Sequence, residues 1–443
     1  MSGAAPSPRS ALAVWARVAA LSFGGPAGQI AVMHRILVEE KRWIDEARFL
    51  HALNFCMLLP GPEAQQLAVY LGWLLGGTAG GLLAGTLFVL PGFASILGLS
   101  ILYAQYGQLP WVAAAFFGLK PAVLAVVVEA LVRIGRRALA GPAAKWIAGA
   151  AFVAIFFFAL PFPCIVLAAG LLGWTAAASG RRLDRPPGDG SERAAPASAA
   201  ARRPPSLART ATILALGLAV WWAPIAVLAA VLGRGHLLTV LGVFFGETAT
   251  VSFGGAYAVL AYVAQQAVGA FHWLSPTEML DGLGLAETTP GPLIQVVQFV
   301  AYLAAFRDPA PFSPWIAGLL GSLVATWTTF VPCFVWIFAG APWVERSRRS
   351  PRIAAALAAI TAAVVGVILH LAVWFSLHLL FARVGELRAG PLRFAVPELA
   401  SFDPGAGAIA ALAFVALFRW RWGMLPTLAA AVALGVVIRA LVG

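Results

Sequence analysis

The sequence predicts an all-α, polytopic membrane protein built from two inverted-topology repeats with broken or re-entrant helices. Three observations carry that expectation. The chain is 61% hydrophobic and only 11% charged, against about 45–50% apolar and about 25% charged residues in an average soluble domain. So few polar side chains cannot cover a globular surface, which excludes a soluble enzyme, a disordered regulator and a fibrous protein. The chain also repeats itself. Ser22-Phe23-Gly24-Gly25 recurs as Ser252-Phe253-Gly254-Gly255, Trp43 as Trp273, Pro60-Gly61-Pro62 as Pro290-Gly291-Pro292 and Gln65 as Gln295, all at an offset of 230 residues. Pro91 and Phe93 match Pro332 and Phe334 at an offset of 241, a change absorbed by the polar insert around Arg307-Asp308-Pro309. Finally, equivalent loops carry opposite charge. Residues 34–48 hold Arg35, Lys41, Arg42 and Arg48, whereas 264–278 hold no lysine or arginine and end in Glu278. Residues 104–110 are uncharged, whereas 345–352 hold Arg346, Arg348, Arg349 and Arg352. Because Lys and Arg in short loops set orientation, the two halves are expected to insert upside down relative to each other.

Taken in order, residues 1–180 form the first membrane repeat. Residues 11–33 are interrupted at Gly24-Gly25-Pro26 and residues 49–76 at Pro60-Gly61-Pro62, where proline removes a backbone donor and glycine weakens the helix. These segments read equally as re-entrant hairpins or as broken crossings. Crossing or nearly crossing helices follow at about 80–104, 111–133, 145–160 and 163–179. Residues 181–209 are rich in Pro, Ala, Arg and Gly, with seven arginines and no apolar run. They read as a basic, cytoplasmic linker. Residues 210–443 form the second repeat. It is led by one extra helix at 210–232, whose single crossing inverts the second copy, and continues with helices at 314–341, 353–380, 405–418 and 423–441.

The net charge of +12 sits mostly in short loops, so it reads as orientation bias and not as a nucleic-acid surface. Cys56, Cys164 and Cys333 lie in apolar stretches without Cys-x-x-Cys or Cys/His spacing, so neither a disulfide framework nor a metal site is expected. Residues 1–10 hold one arginine and lead into no cleavage site, so the first apolar stretch is expected to stay in place. No phosphate-binding GxxxxGK[ST] loop or nucleophile constellation stands out, and neither an enzyme nor a cofactor is expected.

Chemistry is expected at the breaks. A broken helix at membrane depth leaves N–H and C=O groups that lipid cannot satisfy, so it must face protein or a water-filled cavity. A half-helix restarting there turns N–H groups and a positive dipole end toward that cavity, which suits an anion. Gly24, Gly25, Gly61, Gly254, Gly255 and Gly291 allow close backbone approach. Ser22, Ser252, Gln65, Gln66, Thr288, Thr289 and Gln295 offer hydroxyls and amides, which serve equally as interhelical hydrogen-bonding groups. Lys120 is one of only three lysines and lies well inside an apolar run. A buried cation in a membrane helix is costly and reads as functional. Glu129, nine residues on, is too distant along the helix to pair with it. His34 and Arg35 read as cavity-mouth charges or interface anchors. Glu63, Glu129, Glu247 and Glu287 are candidates for proton coupling. His370 and His378 read as structural. Substituting Gly61 and Gly291 is expected to do comparable damage, tempered by Glu63 in one half standing where Leu293 stands in the other.

At these motifs the chain resembles a known family. SFGGPAGQIAVMH (22–34), LPGPEAQQLAVYLGW (59–73) and VLPGF (89–93) are similar to the first half of the long-chain chromate ion transporters. SFGGAYAVLAYVAQQAV (252–268) and DGLGLAETTPGPLIQVVQFV (281–300) are similar to the second half. The resemblance spans nearly the whole chain apart from linker and tails. It implies gradient-coupled export of chromate, giving chromate resistance, by a multi-pass protein of the bacterial inner membrane. Sulfate is the chemically similar dianion. The residues alone lead only to an inverted-repeat anion transporter, with another oxyanion substrate or an anion channel of the same fold as alternatives. The partners implied are the anion and the lipid bilayer, without nucleic acid, and a homodimer is one assembly the sequence leaves open.

Overall fold

The structure, a computed structural model, describes residues 7–23, 25–57, 59–179, 206–252, 256–344, 351–390 and 392–442. Gly24, Phe253, Gly254, Gly255, linker residues 181–205 and the loop arginines 346, 348 and 349 lie outside them.

Proline and glycine punctuate the helices where the sequence places them. Helix α1 (Pro8–Leu21) starts on a proline, with the Ser7 side chain capping the N–H of Ser10, and ends at Ser22. Helix α2 (Gly25–His34) restarts at the glycine and runs into a π-helical turn, Arg35–Glu40. Asp45 caps α3 (Glu46–Cys56), and Pro60-Gly61-Pro62 separates α3 from α4 (Glu63–Tyr106). Helix α4 is itself interrupted where Gly76 and Gly77 leave helical geometry. Helices α5 (Pro110–Ala138), α6 (Pro142–Phe158) and α7 (Phe162–Ala178) each carry a proline in the first turn, where its missing N–H costs nothing.

The second half runs through α8 (Leu207–Leu232), α9 (Leu237–Thr250) and α10 (Ala256–Ala264), the last continuing as a π-helical turn, Gln265–Ala270. Then come α11 (Pro276–Thr288), the break at Pro290-Gly291-Pro292, a 3₁₀ turn (Leu293–Gln295) and α12 (Val296–Arg307). Helices α13 (Pro314–Val344), α14 (Pro351–Leu380), α15 (Pro404–Phe414) and α16 (Met424–Val442) complete it. Among the described residues six helices are long and apolar enough to cross a membrane: α4, α5, α8, α13, α14 and α16. The expected helices agree to within a few residues. Two differences stand out. Residues 207–209, expected in the linker, are the first turn of α8. Between α14 and α15 lies an unexpected antiparallel hairpin, β1 (Val384–Ala389) with β2 (Leu392–Pro397), where Arg388 holds the exposed Glu386 carboxyl below the usual carboxylate range.

Local geometry recurs at the offset of the sequence motifs. Trp43 N–H donates to Leu37 O (2.9 Å) and Trp273 N–H to Ala267 O (2.7 Å). Arg42 and His272 hold matching positive φ angles of 53° and 54°, a conformation uncommon outside glycine. Each duplicated loop therefore ends its π turn in the same way.

The chain forms two compact units, each drawing on both halves. One comprises Met1–Ile101, Gly190–Val259 and Thr289–Arg348, the other Leu102–Asp189, Leu260–Thr288 and Arg349–Gly443. In the first, Trp15, Val18, Ile36, Phe49, Tyr70, Phe88 and Ile337 form a buried apolar core. Helix α12 lies along α13, which also receives α8 and α9. In the second, α14 packs against α5, α6 and α7, while α5 also receives α11, α15 and α16.

Candidate functional site

In the first unit the two Pro-Gly-Pro breaks are tied to the two serine-terminated helices by a reciprocal pair of main-chain bonds. Gly61 N–H donates to Ser252 O, and Gly291 N–H donates to Ser22 O, each at 2.9 Å. The serines end α1 and α9 by the same device. Ser22 Oγ donates to Val18 O and Ser252 Oγ to Thr248 O, both at 2.6 Å. This back-bonding competes with continuation of the helix. Both serines are buried. Their carbonyls, freed by the helix ends, hold the glycines of the other half, whose φ angles are +123° and +106°. A break in each half thus satisfies a break in the other, as apolar surroundings demand.

The amides that follow differ. Gln65 is fully buried, and neither its Oε1 nor its Nε2 has a hydrogen-bond partner among the described residues. Gln66 Nε2 donates to Pro60 O (2.7 Å), bracing the first break. Gln295 Nε2 donates to Gln298 Oε1 (2.5 Å) and Thr326 Oγ1 (3.1 Å), and Gln298 Nε2 donates to Phe93 O (3.1 Å). Gln29, not singled out by sequence, donates from Nε2 to Gly291 O at 2.5 Å. A small cavity, about 10 Å³ of room for the centre of a water-sized sphere, lies against Gly61, Pro62, Thr248, Ser252, Ala256 and Thr329. That is space for roughly one water molecule.

The remaining predicted residues separate into those near the breaks and those elsewhere. Gly25 opens α2, and Glu63 is the first residue of α4. Thr289 is buried beside the second break, and Thr288 Oγ1 donates to Leu285 O (2.9 Å). Glu287 is buried near the end of α11. Glu247 is exposed. Glu129 lies 3.5 Å from Arg133 on the same helix. The His34 ring nitrogens lie 3.1 Å from Glu39 and 2.5 Å from Glu46, and Arg35 Nε lies 3.8 Å from Glu40. His34 and Arg35 therefore belong to a charged loop cluster at the end of α2. Gly24, Gly254 and Gly255 lie outside the described residues.

Lys120, in the second unit, has a partner the sequence did not offer. Its Nζ lies 3.4 Å from Asp281 Oδ1, and Tyr103 OH donates to Asp281 Oδ2 at 2.8 Å. Asp281 is 161 positions away in the sequence, so spacing gave no signal for the pair. An acid between Glu278 and Glu287, in the stretch before Pro290, was the signal available. His370 and His378 line a separate cavity of about 330 Å³ with Gln265, Trp374 and the β-hairpin.

An apolar helical chain with six helices long and apolar enough to cross a membrane among its described residues is a multi-pass membrane protein by class. The chain belongs to the chromate transporter family, whose family model matches residues 10–174 and 239–436. It is 30% identical to the chromate transport protein of Cupriavidus metallidurans over 80% of this chain and 78% of that one. It is 32% identical to the chromate transport protein of Pseudomonas aeruginosa over 79% and 76%. The probable chromate transport protein of Synechococcus elongatus is 28% identical over 80% of each chain. No solved structure gives a significant match.

Proposed function

We propose that this protein exports chromate across the inner membrane by gradient-coupled antiport, with sulfate as the competing dianion, and so confers chromate resistance. The reading rests on family membership and, in the structure, on the reciprocal Gly61–Ser252 and Gly291–Ser22 bonds beside the Gln65 amide, which has no hydrogen-bond partner among the described residues. We infer that residues 1–180 and 210–443 are inverted copies whose breaks meet to form one oxyanion site. Because the glycine N–H groups are already bonded, the anion is met instead by the first-turn N–H groups of α4, which have no intrahelical acceptor, and by Gln65 and Gln66. Lys120 is balanced by Asp281, so the site relies on neutral donors, which bind a dianion without trapping it. A cavity with room for about one water cannot hold an oxyanion, so loading requires the Gly61 and Ser252 segments to part.

The test is flux of labelled chromate and sulfate into vesicles reconstituted with the full chain, with and without a pH gradient. Concentrative chromate uptake driven by the gradient and inhibited by sulfate is expected. Uptake that only dissipates the anion gradient would make the protein a channel, and sulfate transport without chromate transport would reassign the substrate.

A further inference from the structure

We propose that the buried Lys120–Asp281 pair is the proton-exchange site that couples transport to the pH gradient, an inference that rests on the gradient-coupled reading above. The pair joins α5 to α11 within the second unit. The Asp281 side chain is 6% exposed and that of Lys120 is 18% exposed. Tyr103, whose ring packs edge-on against Phe116 of α5 at 5.2 Å, fixes one carboxylate oxygen, leaving Oδ1 to face the ammonium. Helix α11 sits close on α5 around the pair: a Cβ on Gly284 would come within 2.7 Å of Leu119.

Two opposite charges in an apolar helix packing are expensive, and replacing such a pair by apolar residues is often neutral or stabilising. Stability alone therefore does not account for the pair, and a buried intramembrane acid is most readily understood as a carrier. A proton arriving at Asp281 Oδ1 converts the carboxylate to the neutral acid. Lys120 then loses its counter-charge, and the attraction between α5 and α11 is lost with it. Release of the proton on the other side restores the pair. The Tyr103 hydroxyl can donate to either form, so it keeps the carboxyl aimed throughout. Among the described residues, other ionisable groups lie on the helices packed around this acid. Glu278 lies one turn earlier on α11. His370 and His378 on α14, which also packs on α11, line the cavity that reaches Pro276 at the head of α11. Glu129 and Arg133 on α5 pair with each other.

The experiment compares wild type, Asp281→Asn, Asp281→Glu and the double variant Lys120→Met/Asp281→Asn in vesicles reconstituted with the full chain. The double variant leaves no uncompensated charge, so it serves where the single neutralisation fails to fold. Two readouts are taken: chromate–chromate exchange at equal concentrations without a pH gradient, and chromate accumulation with proton flux under an imposed gradient. The expected result is that the double variant keeps exchange but loses both gradient-driven accumulation and chromate-dependent proton flux, while Asp281→Glu keeps all three. Wild-type accumulation in the double variant would overturn the proposal alone. Parallel loss of exchange and accumulation would overturn it in favour of a structural or substrate-contacting role. A wild type that exchanges chromate but ignores the pH gradient would sink the coupling reading and this proposal together.

Discussion

The two Pro-Gly-Pro breaks share a sequence and a backbone but not a neighbourhood. At the first, a Cβ placed on Gly61 would meet Gln66 Nε2 at 2.7 Å and Cys333 Sγ at 2.9 Å, both side-chain ends. At the second, a Cβ on Gly291 would meet main chain, Gly92 Cα at 2.8 Å and Gly92 N at 3.0 Å, while Gln29 already occupies the Gly291 carbonyl. After the first break an α-helix starts directly with Glu63. After the second, a 3₁₀ turn starts with Leu293. Among the described residues neither polar atom of Gln65 has a partner, whereas in its counterpart Gln295 the Nε2 has two and the Oε1 has none. The shared frame is held by main-chain packing at the second break and by adjustable side chains at the first. We infer that the second break is the fixed reference and the first is the part that opens to the ion.

Gly291→Ala is expected to give the largest effect. A side chain at this positive φ carries strain of about 1–3 kcal/mol, and overpacking against a backbone that cannot swing aside adds about 1–3 kcal/mol. Gly61→Ala shares the strain, but its Cβ displaces an amide, losing the Gln66–Pro60 bond at about 1 kcal/mol. Thermal unfolding of the detergent-purified variants should therefore rank Gly291→Ala well below Gly61→Ala, with Gly61→Ala still inserted and its chromate flux reduced. The sequence symmetry leads to an expectation of comparable damage, and the two neighbourhoods give it an order. The reverse ranking would make the first break the fixed one.

That unequal pair also shows what the sequence could reveal. The helices and both breaks were legible because Pro and Gly act on the backbone they occupy, and the paired motifs were legible because each occurs twice at one offset. The partners of the breaks were not. Gly92 lies near Gly291 only after folding, and Gln29 differs from any other amide only by where its helix carries it. The same limit hid Asp281 from Lys120. The β-hairpin was missed although Gly390 and Pro391 between two six-residue runs are a turn signal. The residues between the expected helices at 353–380 and 405–418 were assigned no element.

A middle-sized effect is expected at the equivalent glutamines, and of opposite kinds. Gln65→Leu removes an amide with no partner among the described residues, so stability should hold or rise. Chromate flux should fall about tenfold, the cost of one lost hydrogen bond of about 1.4 kcal/mol to the ion. Gln295→Leu strands Gln298 Oε1 and Thr326 Oγ1, so about 1–3 kcal/mol of stability should be lost. Paired measurements of unfolding temperature and flux separate the two. A Gln65→Leu variant that unfolds easily and transports normally would place the substrate contact elsewhere.

The smallest effects are expected at Ser22 and Ser252, and they examine the linkage itself. The bond that joins each serine to the opposite break uses its carbonyl, which alanine retains. The hydroxyls bond only within their own helices, to Val18 O and Thr248 O. Thr248 O also accepts from Val251 N–H at 3.2 Å, and a single neutral hydrogen bond is worth about 1 kcal/mol, so losing either hydroxyl should cost no more than about 1 kcal/mol. Ser22→Ala and Ser252→Ala should therefore both unfold within a few degrees of wild type and transport chromate at near wild-type rates. Their equality matters more than their size, because a main-chain linkage treats both halves alike whatever the side chains do. Loss of flux in Ser252→Ala alone would mean that its hydroxyl, beside the small cavity at Gly61, touches the ion. Loss in Ser22→Ala alone would move the ion to the second break and reverse the roles assigned to the two copies.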